Sequence, residues 1–141
     1  MINYYIPIIL IVTANTFYHI CAKSVPEGSN AFVGLIITYL TGALASVILF
    51  FMTSQNKNIF LEIKELNWAS FVLGISIVAL EFGFILLYRA GWNISIGSLI
   101  CNIALAVVLI VLGMFMYKEH ITVNQFIGII FCICGLVFIN K

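Results

Sequence analysis

The stretch Ala31–Thr53 reads AFVGLIITYLTGALASVILFFMT and contains no charged side chain. It is long enough to cross a bilayer, because an apolar helix of about 20 residues spans a hydrocarbon core about 30 Å thick. Four further stretches share this apolar character; they are Tyr4–Lys23, Trp68–Ala90, Ile94–Tyr117 and Thr122–Ile139. The sequence therefore predicts five membrane-spanning helices that together form a single domain over residues 1–141.

The composition supports the same conclusion and argues against several functional classes. The chain is 64% hydrophobic and 8% charged, with a mean hydropathy of +1.22, whereas soluble domains contain about 25% charged residues. A net charge of +1 gives no reason to expect a nucleic-acid partner. The sequence contains no phosphate-binding loop, zinc signature or nucleophile elbow, so it predicts neither an enzyme nor a cofactor or metal site. Four cysteines lie within the spans, where they are expected to act as small apolar residues; they are Cys21, Cys101, Cys132 and Cys134.

The six Lys and Arg residues divide evenly between the two sides that five crossings define. One side carries Lys57, Lys64 and Lys118, and the other carries Lys23, Arg89 and Lys141. Membrane orientation normally follows an excess of Lys and Arg in short cytoplasmic loops. An even division provides no such excess, so the chain is expected to insert in both orientations and to pair with its own inverted copy.

The longest predicted loop, Ser54–Asn67, contains a helical pattern of apolar residues. Ile59, Phe60, Ile63 and Leu66 recur at helical intervals between charged neighbours. This pattern is typical of a short amphipathic helix that lies in the membrane interface. A plain polar loop is the alternative interpretation.

Glu81 lies near the middle of the third predicted span. A carboxylate at this depth costs on the order of 2.5–3.5 kcal/mol on insertion scales, so it usually faces a cavity or a partner. Arg89, eight residues further along, is about 12 Å away on an ideal helix, which is too far for a direct pair. Glu81 is therefore predicted to bind a cation or a proton. The alternative is a protonated or hydrogen-bonded Glu81 that holds neighbouring helices together.

Polar residues on the first and fourth spans form two further candidate stripes. Asn15, His19 and Lys23 follow one another at intervals of four, which places them along one side of a helix. Ser98 and Asn102 share a face of the fourth span. Such stripes line a water-filled pathway or form hydrogen bonds to a neighbouring helix. Lys23 is expected only to anchor the end of its span.

Hydroxyl-bearing and small residues elsewhere in the spans predict packing rather than binding. The hydroxyls of Thr38 and Thr41 are expected to donate to carbonyls of their own helix. Gly128 and Gly135, seven residues apart, predict a smooth strip for close helix contact.

The end of the chain carries a recognisable motif. From Tyr117 it reads YKEHITVNQFIGIIFCICGLVFINK, in which an acidic residue after the fourth span precedes a Gln-x-x-Gly and an apolar run with a later Gly. This segment resembles the closing segment of an EamA-type domain of the drug/metabolite transporter superfamily. The matching residues are Glu119, Gln125, Gly128 and Gly135. The stretch YRAGWNISIG at residues 88–97 is similar to the junction between the third and fourth helices of that domain.

The resemblance implies a specific architecture. Typical members contain two such domains in tandem, in opposite orientation, and export metabolites or drugs. This chain has one domain without an internal repeat, so it also resembles short members that dimerise, such as the small multidrug resistance proteins. Those proteins carry a membrane glutamate in the first of four spans, whereas here it is Glu81 in the third. The implied fold is an all-α membrane protein whose five transmembrane helices form one half of a ten-helix inverted-repeat transporter, completed by dimerisation. The four motif residues themselves are expected to be structural.

These inferences predict an antiparallel homodimeric secondary transporter of a small metabolite or organic cation. Its expected location is a bacterial cytoplasmic membrane, and its expected partners are the lipid bilayer, a second copy and the substrate. The two Glu81 carboxylates would share one cavity, and Asn15, His19, Ser98 and Asn102 would orient the substrate by hydrogen bonds. One alternative is a subunit of a heteromeric flippase for a lipid-linked sugar. Another is a non-transporting assembly protein in which Glu81 only locks helices together.

Overall fold

The computed structural model describes residues 2–120 and 122–139. In this part of the chain six α-helices follow one another: α1 (Ile2–Ser24), α2 (Ala31–Thr53), α3 (Ile59–Ile63), α4 (Trp68–Arg89), α5 (Ile94–Met116) and α6 (Val123–Ile139). The described structure thus agrees with the all-α prediction, and its five longer helices lie within two residues of the predicted spans at each end. Lys141, one of the six residues in the charge comparison, lies outside the described residues.

Four of the helices are long and apolar enough to cross a membrane; they are α1, α2, α4 and α5. Only 6% of the most apolar window of each is buried inside the protein. The remaining apolar surface therefore faces outward, as it does in a helix surrounded by lipid. Helix α6 has 17 residues, fewer than the roughly 20 that a full crossing needs. The chain is thus an integral membrane protein with four candidate spans, and the fifth crossing stays a prediction.

Asparagine side chains define where three of the helices begin. Asn30 Oδ1 accepts from the backbone N–H of Phe32 at 2.9 Å, and Asn67 Oδ1 accepts from the N–H of Ala69 at 2.9 Å. Each bond satisfies one of the four N–H groups that lack a partner at a helix start. Asn58 caps α3 in the same way, so the loop Ser54–Asn67 contains the short helix that its pattern predicts. Its location in the membrane interface stays a prediction.

The chain up to Ala90 forms one compact unit in which α4 packs against both α1 and α2. Ala31 and Leu35 of α2 and Ile85 of α4 form its buried core. Beside this core the rings of Phe32 and Phe82 stack with centroids 4.7 Å apart. These contacts fix the spacing of α2 and α4 near the predicted depth of Glu81.

Residues from Gly91 onward form a second compact unit in which α5 and α6 contact each other. The turn between these helices is tight. Lys118 has a φ of 53°, and the N–H of Glu119 donates to the carbonyl of Gly113 at 3.1 Å. The same carbonyl also accepts from the N–H of Tyr117 at 3.1 Å, so two donors meet at the last turn of α5.

The prediction that the threonine hydroxyls of α2 bond within their own helix is confirmed. Thr38 Oγ1 donates to the Gly34 carbonyl at 3.1 Å, and Thr41 Oγ1 donates to the Ile37 carbonyl at 2.8 Å. Their donors are therefore used locally.

Candidate functional site

Glu81 lines a small, partly open cavity between three helices of the first unit. The cavity has a volume of about 130 Å³. Its lining comes from α1, α2, α4 and the residue just after α1. The residues are Tyr18, Cys21, Ala22, Val25, Gly34, Leu35, Thr38, Glu81 and Ile85. Most of this wall is apolar, and Glu81 supplies its one carboxylate. The cavity therefore combines a single acidic group with a largely hydrophobic surround.

Two tyrosine hydroxyls accompany the Glu81 carboxylate. Tyr18 lines the cavity, and the ring of Tyr39 packs against the core of the unit. Both hydroxyls lie close enough to Glu81 to interact with its charge. Both oxygens are buried, and neither has a hydrogen-bond partner within residues 2–120 and 122–139. Tyr39 thus makes no hydrogen bond to the carboxylate, and it is not among the residues that line the cavity.

A buried hydroxyl without a partner is costly, because burial removes its hydrogen bonds to water. Hydroxyls can both donate and accept, and their O–H bonds rotate to suit a neighbour. Tyr18, which shares the cavity wall with Glu81, is therefore chemically able to donate to an ionised Glu81 or to accept from a cation that lies against the carboxylate. The arrangement is chemically suited to holding a proton or a small cation.

His19 lies on the neighbouring face of α1 and is only 7% exposed. Its Nδ1 shares a hydrogen bond of 2.9 Å with the hydroxyl of Tyr88, whose direction follows the tautomer of the ring. The ring also contacts Phe84, with centroids 4.8 Å apart. Nε2 is buried and has no hydrogen-bond partner in the described part of the chain. His19 thus joins α1 to α4 but is not part of the wall of the Glu81 cavity.

Of the other predicted site residues, one lies in the first unit and two lie in the second. Asn15 is exposed on α1 and does not line the cavity. Ser98 and Asn102 belong to the second unit, where Asn102 is exposed. Ser98 Oγ donates to the Ile94 carbonyl of its own helix at 2.6 Å. A role for these three residues in binding stays a prediction.

The hydrogen-bond partners of Arg89 lie in the turn between α1 and α2 and do not include Glu81, as the predicted separation of Arg89 and Glu81 requires. Its Nη2 donates to the carbonyl of Pro26 at 3.0 Å and to the carbonyl of Ser29 at 2.7 Å. It also approaches Ser29 Oγ at 3.3 Å. Arg89 therefore fastens the end of α4 to the turn between α1 and α2. Nearby, the Lys23 ammonium lies 5.7 Å from the ring centroid of Tyr88, within the range of a cation–π contact.

The second unit contains a larger groove between α5 and α6. Its volume is about 370 Å³, and its wall is mostly apolar; the lining residues are Ile103, Ala106, Val107, Ile110, Glu119, His120, Gln125, Gly128, Ile129 and Cys132. Three of the four motif residues lie in this wall. They are Glu119, Gln125 and Gly128.

Two of these motif residues have clear local roles. Gln125 Oε1 accepts from the N–H of Thr122 at 2.9 Å and from its hydroxyl at 3.0 Å, which forms a capping box at the start of α6. The carboxylate of Glu119 lies against Gly113, where an added Cβ would come within 2.6 Å of Oε2. An alanine at this position would require the end of the flexible Glu119 side chain to move. Both contacts shape the connection between α5 and α6.

Sequence reasoning did not identify Tyr18 or Tyr39 as site residues. Nothing in the spacing of Tyr39 on α2 relates it to a glutamate on α4, because their proximity depends on how the helices pack. The only signal in the sequence is that each tyrosine places a hydroxyl inside a predicted span. No cluster of three or more His, Cys, Asp or Glu residues suited to a metal occurs in the described chain.

Comparison with known proteins agrees with this architecture. Residues 3–141 match the EamA-like transporter family, so the chain belongs to that family. Its members are membrane transporters rather than enzymes. The comparisons with curated proteins and with solved structures gave no match.

Proposed function

We propose that this protein is a secondary transporter that exchanges protons for a small metabolite or organic cation at Glu81. The observation that carries the proposal is the placement of this carboxylate in a partly open cavity between α1, α2 and α4. Membership of the EamA-like transporter family supports transport as the class of activity. A bacterial cytoplasmic membrane is the expected location.

The chemistry of exchange follows from the isolation of this carboxylate. An ionised Glu81 inside a span is unfavourable by on the order of 2.5–3.5 kcal/mol on insertion scales, so the group favours a bound proton or cation over an empty charged state. Either occupant neutralises the site, and both compete for the same oxygens. Binding of one therefore releases the other, which couples cation movement in one direction to proton movement in the opposite direction.

The proposed active form is an antiparallel homodimer. The three-against-three division of Lys and Arg supports insertion in both orientations. Many transporters are built from two inverted halves with the site near the bilayer midplane. A second, inverted copy would supply the opposite half, and the two Glu81 carboxylates would share one cavity.

The test uses wild-type protein and the Glu81→Gln variant in proteoliposomes that contain a pH-sensitive dye. Ethylammonium, guanidinium, tetramethylammonium and sodium are added outside one at a time, and proton efflux is recorded. The difference between wild type and Glu81→Gln removes the leak that neutral amines cause by crossing lipid. We expect a difference for at least one cation, because the amide can bind neither a proton nor a cation by charge.

Glu65→Gln is the matched control, since Glu65 is an exposed residue outside the spans. This variant should behave as wild type, and Glu81→Gln should retain the oligomeric mass of wild type by light scattering. Equal proton efflux in wild type and Glu81→Gln for every cation would refute the exchange mechanism. Glu81 would then have the assembly role. Obligatory co-purification of a different small membrane protein would instead favour the heteromeric flippase.

A further inference from the structure

The Glu81 cavity has a direction along the helices of the first unit, and this direction indicates how the carboxylate is reached. Arg89, at the end of α4, donates to the carbonyls of Pro26 and Ser29 in the turn that joins α1 to α2. The end of α1, the start of α2 and the end of α4 therefore lie together. We call this the turn end of the first unit, after the turn formed by residues 25–30.

The residues that line the cavity lie between Glu81 and the turn end. On α1 the lining begins at Tyr18, on α2 it ends at Thr38, and on α4 it begins at Glu81. None of the described residues further from the turn end than these three belongs to the wall. Toward the turn end the wall continues through Ala22 to Val25, which lies in the turn itself. Tyr18, Thr38 and Glu81 therefore mark the inner end of the cavity, and Val25 marks its outer end.

The cavity is long enough to connect Glu81 with water at the nearer membrane surface. Glu81 precedes Arg89 by eight residues, and Tyr18 precedes Val25 by seven; these intervals correspond to about 12 Å and about 10 Å along a helix. The middle of a hydrocarbon core about 30 Å thick lies about 15 Å from its surface. The cavity therefore covers most of the distance from that surface to the carboxylate, on one side of Glu81 only.

Gly34 leaves this route open on the side of α2. It lines the cavity, and a Cβ built on it would meet no atom of another described helix within 4 Å. A longer side chain at this position would therefore extend into the cavity. We propose that protons and cations reach Glu81 from the turn end, through this cavity and past Val25 and Gly34. The inference rests on the proposed function, because it supplies the route to the exchanging carboxylate.

Cys21 also lines the cavity, so its reactivity reports whether water enters the route. Protein without Cys101, Cys132 and Cys134 is placed in lipid nanodiscs, where both membrane faces contact water whatever the orientation. Mass spectrometry then measures how fast 2-(trimethylammonium)ethyl methanethiosulfonate modifies Cys21. This cationic reagent is confined to water, and a thiol reacts as its thiolate, so a cysteine surrounded by lipid should react slowly.

Ile20→Cys in a background without the four native cysteines is the matched control for depth. Ile20 is the neighbouring residue on α1, and it is exposed but does not line the cavity. We expect Cys21 to be modified at least tenfold faster than the thiol of the Ile20→Cys protein.

Gly34→Leu tests the route by obstructing it. In this variant the modification of Cys21 should slow at least tenfold, and proton efflux with the four cations of the proteoliposome assay should fall at least tenfold. Gly42→Leu is the matched control. Like Gly34, Gly42 lies on α2, its carbonyl accepts from a hydroxyl four residues later, and an added Cβ would meet no atom of another described helix within 4 Å. Gly42 does not line the cavity, so Gly42→Leu should behave as wild type in both measurements.

The outcomes separate this inference from the function beneath it. Modification of Cys21 no faster than that of the Ile20→Cys protein would overturn the route. So would a Gly34→Leu protein with normal modification of Cys21 or normal Glu81-dependent proton efflux. In each case, proton efflux that differs between wild type and Glu81→Gln would still support exchange. Rapid Cys21 modification that Gly34→Leu slows, together with equal efflux in wild type and Glu81→Gln, would support the route and refute exchange.

Discussion

Replacing Arg89 with lysine should destabilise the first unit even though the positive charge is kept. Arg89 Nη2 lies 3.0 Å from the Pro26 carbonyl and 2.7 Å from the Ser29 carbonyl, so one nitrogen holds both ends of the turn between α1 and α2. The planar guanidinium presents its donors in a fixed fork, whereas an ammonium is a compact point charge on a flexible stem. The lysine ammonium has enough donors for both carbonyls, but it ends one atom short of the position of Nη2, so we expect it to reach one of them rather than the pair.

The magnitude follows from counting the bonds that one nitrogen can make. Nη2 carries two hydrogens, so two of its three nearby acceptors receive a full hydrogen bond, and Ser29 Oγ at 3.3 Å is the weakest of them. Each bond from a charged donor contributes about 1.5–3 kcal/mol. Loss of one such bond predicts that Arg89→Lys lowers the free energy of unfolding by about 1.5–3 kcal/mol.

The assay is equilibrium unfolding of detergent-solubilised protein in increasing mole fractions of SDS, followed by circular dichroism. Glu27→Gln is the matched control, because it changes a charge in the same turn and Glu27 is exposed. It should stay within about 0.5 kcal/mol of wild type, as surface substitutions usually do. An Arg89→Lys protein as stable as the Glu27→Gln protein would show that the two carbonyl contacts contribute nothing to the fold.

Two further predictions concern the α5–α6 connection and membrane orientation. Gln125→Ala should lower the free energy of unfolding by about 0.5–2 kcal/mol, the usual effect of losing a helix cap. Gln125→Glu should keep a free energy of unfolding close to that of wild type, because glutamate also serves in a capping box. The same SDS titration measures the free energy of unfolding of both variants. An equal decrease in Gln125→Ala and Gln125→Glu would mean that the hydrogen bonds to Oε1 do not stabilise the helix start. For orientation, Glu27→Cys in a background without the four native cysteines should react with a membrane-impermeant thiol reagent in about half of the molecules, since acidic residues contribute little to orientation. Labelling of all or none in intact cells would refute dual insertion and direct the search to a parallel dimer or a separate inverted partner.

The helix boundaries were predictable because local signals mark them. Asn30 and Asn67 are residues that favour helix starts, and both cap a span within one residue of the predicted boundary. Long uncharged runs such as Ala31–Thr53 define a span by length and composition alone. Such signals need no knowledge of how the helices pack.

The site was only partly predictable because it depends on where helices cross. Asn15 and His19 are four residues apart and share one stripe of α1, yet His19 is buried against α4 and Asn15 is exposed. The contact of α4 with α1 includes Tyr18, His19, Phe84 and Tyr88. Periodicity gives the direction of a side chain around its helix, but the crossing point decides which level of that stripe meets a neighbour.

The motif residues and the proposed substrate cavity lie in different parts of this chain. The residues that carry the resemblance, among them Glu119 and Gln125, fix the connection between α5 and α6 through contacts with Gly113 and Thr122. Glu81 and its cavity lie entirely within the first unit. A motif that shapes a connection can remain the same while the cavity changes. The substrate of this transporter should therefore be sought in the cavity walls of α1, α2 and α4, and a swap of the α5–α6 connection between family members should leave cation preference unchanged.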